Sequence, residues 1–226
     1  MISPARTAIV IGGTGAIGSV LALALATEGY RVHVVSRGSN AHDEELDRRC
    51  EIHRVDVADE SRFVDFLRER CGTADVLIYA AGRIPDPEIA LAAYSCSDWK
   101  QNLDVYLTGF FLSLREALRS FKEGGHVIAI SSAVTRFSGD KLPPLNLGHY
   151  SATKAALDEL CKWGRRDAHQ RGLLLSRVAP SAVECAYHAT APAYRLPPRT
   201  VPMKTIRDTI MAAIERPEEI DVSIVA

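Results

Sequence analysis

Residues 12–18 read Gly-Gly-Thr-Gly-Ala-Ile-Gly and follow a short aliphatic run, Thr7–Ile11. No other stretch limits the fold as strongly. Gly12, Gly15 and Gly18 recur at every third position, between a strand pattern and a helical pattern that ends at Gly29. Glycines so spaced let a strand turn sharply into a helix and let a pyrophosphate approach the free N–H groups at its start. A tight turn with no ligand would use the same residues, so the remainder of the chain has to decide. The span from Arg6 to Glu28 carries no internal charge, and Ala22-Leu23-Ala24 resembles a signal-peptide cleavage site. Yet a helix running through Gly12, Gly13, Gly15 and Gly18 would lose roughly 1 kcal/mol at each. Strand, turn and helix is the better reading, with no membrane span expected.

The rest of the chain repeats that alternation. Strands are expected at Thr7–Ile11, Arg31–Val35, Ile52–Val55, Asp75–Ala80, His126–Ser131, Leu173–Val178 and Ile220–Val225. Helices are expected between them, including one capped by Ser61, a long one over 97–121 and another over 150–171. Alternating elements with β-branched strands predict an α/β fold: a single doubly wound, Rossmann-type domain over 1–226 with a seven-stranded parallel sheet. Ligands on such sheets bind beyond the carboxyl ends of the strands. The segment at about 181–202, with Pro192, Pro197 and Pro198, is the expected substrate loop.

Composition closes off other classes. The 226 residues carry 27 basic and 28 acidic side chains, a net charge of −1, so there is no basic field for a nucleic-acid backbone. The five cysteines are odd in number and scattered, with no CxxC pair or Cys/His cluster at ligand spacing. Neither disulfides nor a metal is expected, and a cytoplasmic location is.

Ser36-Arg37 closes the second strand, where an NAD site would carry an acidic residue for the ribose 2′-hydroxyl. A guanidinium there suits a 2′-phosphate and favours NADP(H) over NAD(H). Asp56 and Val57 follow the third strand and are candidates to hold the adenine. Further on, Tyr150 and Lys154 stand four apart near a helix start, so both side chains share one face. An ammonium beside a phenol favours the phenolate and makes proton exchange feasible near neutral pH. Ser131 and Ser132 end the preceding strand at the same sheet edge.

Taken together, the turn at 12–18, Asp56-Val57, Ala80-Ala81-Gly82, Ser131-Ser132, Tyr150-xxx-Lys154 and Pro180 resemble the short-chain dehydrogenase/reductase family over essentially the whole chain. The resemblance implies Tyr150 as general acid/base, Lys154 as its partner and ribose ligand, and Ser132 as the group that orients a substrate carbonyl. It implies a cofactor site of Gly12, Thr14, Gly15, Ile17, Gly18, Ser36, Arg37, Asp56, Val57, Ala80, Ala81, Gly82, Tyr150, Lys154, Pro180 and Val183. It further implies pairing through the helices near 98–121 and 150–171, as a homodimer or homotetramer.

Four positions depart from the family pattern. Ala16 replaces a glycine, Tyr79 stands in the Asn-Asn-Ala-Gly segment, Tyr106 takes the place of a catalytic asparagine, and Ser181 follows Pro180 where glycine is common. Cys185 sits where a threonine often contacts the carboxamide. Ile84, Tyr94, Val134, Phe137, Leu142, Leu145, Tyr187, His188 and Tyr194 are the expected pocket walls, a mixture suited to a mid-sized, partly apolar carbonyl or alcohol. His149 is expected to orient the loop, or to have no role, rather than act as a base. The expected function is NADP(H)-dependent reduction of a ketone or aldehyde, or the reverse. The alternatives are a catalytically weak NADP(H)-binding regulator or scaffold, and a non-redox epimerase or dehydratase.

Overall fold

Seven parallel strands form one sheet in the order β3-β2-β1-β4-β5-β6-β7: β1 Thr7–Ile11, β2 Arg31–Ser36, β3 Glu51–Arg54, β4 Val76–Tyr79, β5 His126–Ile130, β6 Leu174–Pro180 and β7 Asp221–Ile224. The structure, a computed structural model, describes residues 5–38, 44–82, 89–136, 146–184 and 200–225. Seven α-helices are described: α1 Ala16–Thr27, α2 Glu44–Arg49, α3 Glu60–Cys71, α4 Cys96–Leu103, α5 Gly109–Ser120, α6 Gly148–Gln170 and α7 Met203–Glu215.

Alternation along each strand sorts its side chains between two cores. In β1, Ala8 and Val10 pack with Leu21 and Leu25 of α1 and Ile206 and Ile210 of α7. Ile9 and Ile11 face Phe63 and Leu67 of α3, Phe110 and Leu114 of α5, and Leu157 of α6. All five residues of β1 are buried, as a central strand covered on both faces requires. The chain runs outward from β1 to β2 and β3, then returns to lay β4 against the other side of β1. The carboxyl ends of β1 and β4 therefore flank the point where the strand order reverses, the usual ligand crevice.

Several expected boundaries change. Asp59, not Ser61, caps α3; its carboxylate accepts from the Arg62 N–H at 3.2 Å, and Ser61 falls inside the first turn. The expected helix over 97–121 is three pieces, because a π-helical turn over Asp104–Thr108 joins α4 to α5. The Tyr79 hydroxyl donates to the Val105 carbonyl in that turn. Residue periodicity does not signal such a contact, since it comes from a strand 26 residues earlier. Strand β6 continues to Pro180, beyond the last β5 pair, Ile130↔Val178. Its missing N–H breaks no rung there, and Ser181 N–H still donates to Ile224 at 2.8 Å. Among the described residues no helix is long and apolar enough to cross a membrane.

Inside the sheet, His126 is 3% exposed, with Nε2 2.7 Å from Ser176 Oγ. Burial holds its imidazole down at about 4, against an ordinary 6.5. The unfolded chain therefore takes up a proton below pH 6.5 that the folded chain refuses until near pH 4. This contribution to stability is complete above pH 6.5 and is lost as pH falls, at most roughly 1.4 kcal/mol per pH unit. Thermal unfolding of His126→Gln between pH 7 and 5 is expected to show a shallower loss of midpoint than wild type. Parallel slopes would place the acid sensitivity elsewhere.

Candidate active site

The glycine turn is built by contact rather than by flexibility alone. Gly12 has φ +78, and a Cβ there would lie 2.6 Å from the Ala81 backbone, so β1 and β4 can close only on glycine. A Cβ on Gly18 would lie 2.2 Å from the Gly12 carbonyl oxygen, which fixes α1 against the turn. Gly15 precedes α1, and no side chain caps the helix or places an acid in its first turn. Thr14 is exposed, Ile17 half-buried, and Ala16 sits exposed at the helix start, where its methyl group meets no crowding. A helix start with no side-chain cap and no acid in its first turn fits a dinucleotide pyrophosphate.

The neighbouring strand ends complete this edge. Ser36 Oγ lies 2.8 Å from Thr14 Oγ1, which joins the β2 end to the turn, and Arg37 beside it is exposed. Asp56 is half-buried and accepts from the Ala58 N–H at 3.0 Å. Val57 turns its side chain into the core with Phe63 and Phe66, so contact with an adenine would fall to its backbone. Ala80 N–H donates to Ile11 at 2.8 Å, and Ala81 and Gly82 follow it at the mouth of the crevice. Val183 forms a parallel bridge with Val201, just beyond Pro180.

At the other end of the crevice, α6 carries Tyr150 and Lys154 on adjacent turns, 8% and 4% exposed. Asp158, one turn further on, anchors this helix to the β5 end: it accepts from Ser131 Oγ, and from Thr135 Oγ1 at 2.9 Å. Ser131 is thereby committed to structure. Ser132 stays half-buried, its Oγ accepting from the Val134 N–H at 3.3 Å. Lys154 Nζ donates to the Ile130 carbonyl at 2.8 Å and lies 4.9 Å from the Tyr106 ring centre and 5.8 Å from that of Tyr150. Burial lowers its ammonium to about 8, against the opposing pull of Asp158.

Two departures from the family pattern find physical roles here. Tyr79 is buried, which keeps its hydroxyl protonated as the donor to Val105. Gly109 makes room for it, since a Cβ there would stand 2.2 Å from the Tyr79 oxygen. Tyr106 packs edge-on to Tyr150, ring centres 5.4 Å apart, and covers Gly82, whose added Cβ would strike Cε1 at 2.0 Å. Neither Asp158 nor Gly109 was singled out from sequence; a second polar residue one turn after the lysine is a signal that could have pointed to Asp158. His149 is buried and stacks on Tyr94 at 3.9 Å, which fits a loop-orienting role. Val134 joins Tyr106, Leu147 and Tyr150 in one small cluster. Ile84, Phe137, Leu142, Leu145, Cys185, Tyr187, His188 and Tyr194, with most of the 181–202 segment, lie outside the described residues.

Substituting Gly18→Ala should separate α1 from the turn. Overpacking of this kind costs about 1–3 kcal/mol. A lowered thermal midpoint and a weakened affinity for reduced nicotinamide dinucleotide, read by nucleotide fluorescence, are expected together. A variant with wild-type affinity would show that the close approach is not needed for binding.

Comparison with known proteins agrees with this geometry. A family profile described as short chain dehydrogenase matches residues 6–194. The human protein named dehydrogenase/reductase SDR family member 11 is 30% identical over 201 residues, covering 80% of this chain and 75% of its own. The cyclic-di-GMP-binding biofilm dispersal mediator protein of Escherichia coli is 26% identical over 221 residues, covering 95% of this chain and 86% of its own. A Burkholderia cenocepacia short chain dehydrogenase, solved in complex with NADP, superposes with a TM-score of 0.81 at 23% identity, covering 97% of this chain and 96% of that one. On the extent of the profile match and the shared fold, this chain belongs to the short-chain dehydrogenase/reductase family of oxidoreductases.

Proposed function

We propose that the chain reduces a ketone or aldehyde with NADPH, and oxidises the alcohol where cofactor ratios allow. The observation that carries this is the buried Tyr150–Lys154 pair, whose ammonium is held by the Ile130 carbonyl at the strand end that leads into Ser132, on the same sheet as an uncapped glycine turn. Ser132 Oγ would donate to the substrate oxygen and set the carbonyl's orientation. Tyr150 would give its hydroxyl proton to that oxygen as the alcohol forms. Lys154 would stabilise the resulting phenolate and hold the nicotinamide ribose. When bound, the cofactor supplies the hydride.

Arg37 supports NADP(H): it is exposed at the β2 end beside Ser36, where a 2′-phosphate could meet a guanidinium. The NADP bound by the Burkholderia neighbour supports the same choice. Cys71 and Cys161 are buried, with thiols pushed up to about 12, which suits inert thiols in a cytoplasmic protein. Titration should show NADPH bound at least tenfold more tightly than NADH, a difference of about 1.4 kcal/mol. Arg37→Ala is expected to erase that preference. Tyr150→Phe should abolish turnover of a carbonyl panel while binding NADPH normally; turnover near wild type would remove Tyr150 as the acid.

A regulatory reading keeps one specific support. Tyr106 fills space around Tyr150 and Lys154, and the E. coli relative is named for binding cyclic-di-GMP. That reading predicts NADPH binding with no turnover in the wild type. An epimerase or dehydratase would instead form product with no net change in reduced cofactor.

The outer faces of α5 and α6 support self-association through these helices. Phe111 is 44% and Trp163 66% exposed, and they flank an apolar groove with Leu114, Leu118 and Leu160. A homodimer, or the homotetramer built from it, would cover both rings. Trp163→Glu should convert the wild-type oligomer to a monomer in sedimentation; an unchanged mass would move the interface elsewhere.

A further inference from the structure

On the sheet face beneath α3, β2 and β3 set two histidines and a glutamate side by side. His33 pairs in register with Glu51, and Val35 with His53, so alternation puts all three side chains on one face. His33 Nδ1 lies 3.0 Å from His53 Nε2 and 3.3 Å from Glu51 Oε2. The three donor atoms all fall within 4.8 Å of one another. A tetrahedral zinc-class ion, with bonds of about 2.0–2.2 Å, holds neighbouring donors roughly 3.4 Å apart. Both separations lie within half an ångström of that spacing.

The surroundings hold these atoms in place. His33 is 2% exposed, and the His53 ring rests on Phe66 with centres 5.0 Å apart. Arg31 Nε donates to Glu51 Oε1 at 2.6 Å, which leaves Oε2 turned toward His33. Outer partners that fix a ligating carboxylate are a regular feature of metal sites. Burial disfavours the imidazolium at both histidines, and the guanidiniums of Arg70 and Arg31 act in the same sense. Glu51 opposes them at both rings, and Glu69 does so at His53.

We propose that His33, His53 and Glu51 form a site for one zinc-class divalent cation, with water in the fourth position. Two imidazoles and one carboxylate favour Zn²⁺, Co²⁺, Ni²⁺ or Cu²⁺ over Mg²⁺ and Ca²⁺. The cation replaces the hydrogen bond between the rings, and the hydrogen that bridged them moves to the far nitrogen of its own ring. No proton is lost and no redox step is needed. Bound metal clips the edge strand β3 to β2, three residues before Ser36 and Asp56. Local spacing hides the site, because its ligands come from two strands and meet only when these pair.

The test uses the untagged full chain, stripped with chelator and titrated with Co²⁺ and then Zn²⁺, with no substrate or nucleotide. One equivalent of Co²⁺ should give visible absorption of a low-coordinate site, and Zn²⁺ should displace it. The thermal midpoint should rise on the order of 5 °C at a hundredfold excess of Zn²⁺ over Kd. Millimolar Mg²⁺ should leave it unchanged. His53→Ala and Glu51→Gln should each bind at least tenfold more weakly; His53→Gln serves if the alanine variant does not fold. Absence of binding, an equal response to Mg²⁺, or wild-type affinity in either ligand variant would overturn the site. These readouts are independent of the reductase reading.

Discussion

Everything at the ligand edge depends on how closely two backbones meet where the strand order reverses. Gly12 lies against Ala81, and Gly18 against the Gly12 carbonyl, with no room for a single carbon at either point. That contact settles the distance between β1 and β4 and the angle at which α1 leaves the sheet. It leaves the start of α1 bare, because a turn so tight has no side chain in position to cap it. Compact packing and a helix start without a side-chain cap are thus one arrangement. A helix start of this kind suits an anion through how the chain closes rather than through an added device.

The second half of the site is held by buried charge. Asp158 ties α6 to the β5 end through Ser131 and Thr135, and lies 3.4 Å from Arg177 of β6. Arg177 in turn pairs with Asp221 of β7, so one chain of contacts spans a helix and three strands. Lys154 hangs from that frame, its ammonium satisfied by the Ile130 carbonyl. Burying a charge is costly unless it is bonded, and here each bonded partner also sets a distance. Tyr79 and Tyr106 form a matching apolar unit around the π turn, with Gly109 and Gly82 vacating the space that the two rings occupy.

What was legible in the residue order had local causes. Strand positions, the glycine turn and the Tyr150–Lys154 spacing all arise within a few residues of chain, and the structure has the seven strands and α6 close to where they were expected. Features that residue order does not explain had remote causes. The π turn owes its shape to a hydroxyl from β4, and the division of labour between Ser131 and Ser132 to an aspartate in α6. The α3 cap is a different case: Asp59 and Ser61 are both competent caps, and only the entry path of the chain decides between them. His33, Glu51 and His53 are separated by 18 and 20 positions in the chain, and adjacency arises only through register.

The parallel bridge between Val183 and Val201 has a consequence for how such a chain can change over time. Val201 N–H donates to Ala182 at 2.8 Å and Glu184 N–H to Val201 at 3.0 Å, so the two stems of the intervening stretch are fastened to each other. A closed stem uncouples what lies beyond it from the scaffold. Lengthening the stretch between the stems costs only about 0.6 kcal/mol per doubling in closure entropy, and the register of β6 and the seat of α7 need not shift. Evolution can therefore recast the stretch between the stems by insertion or deletion while inheriting the sheet and its helices unchanged.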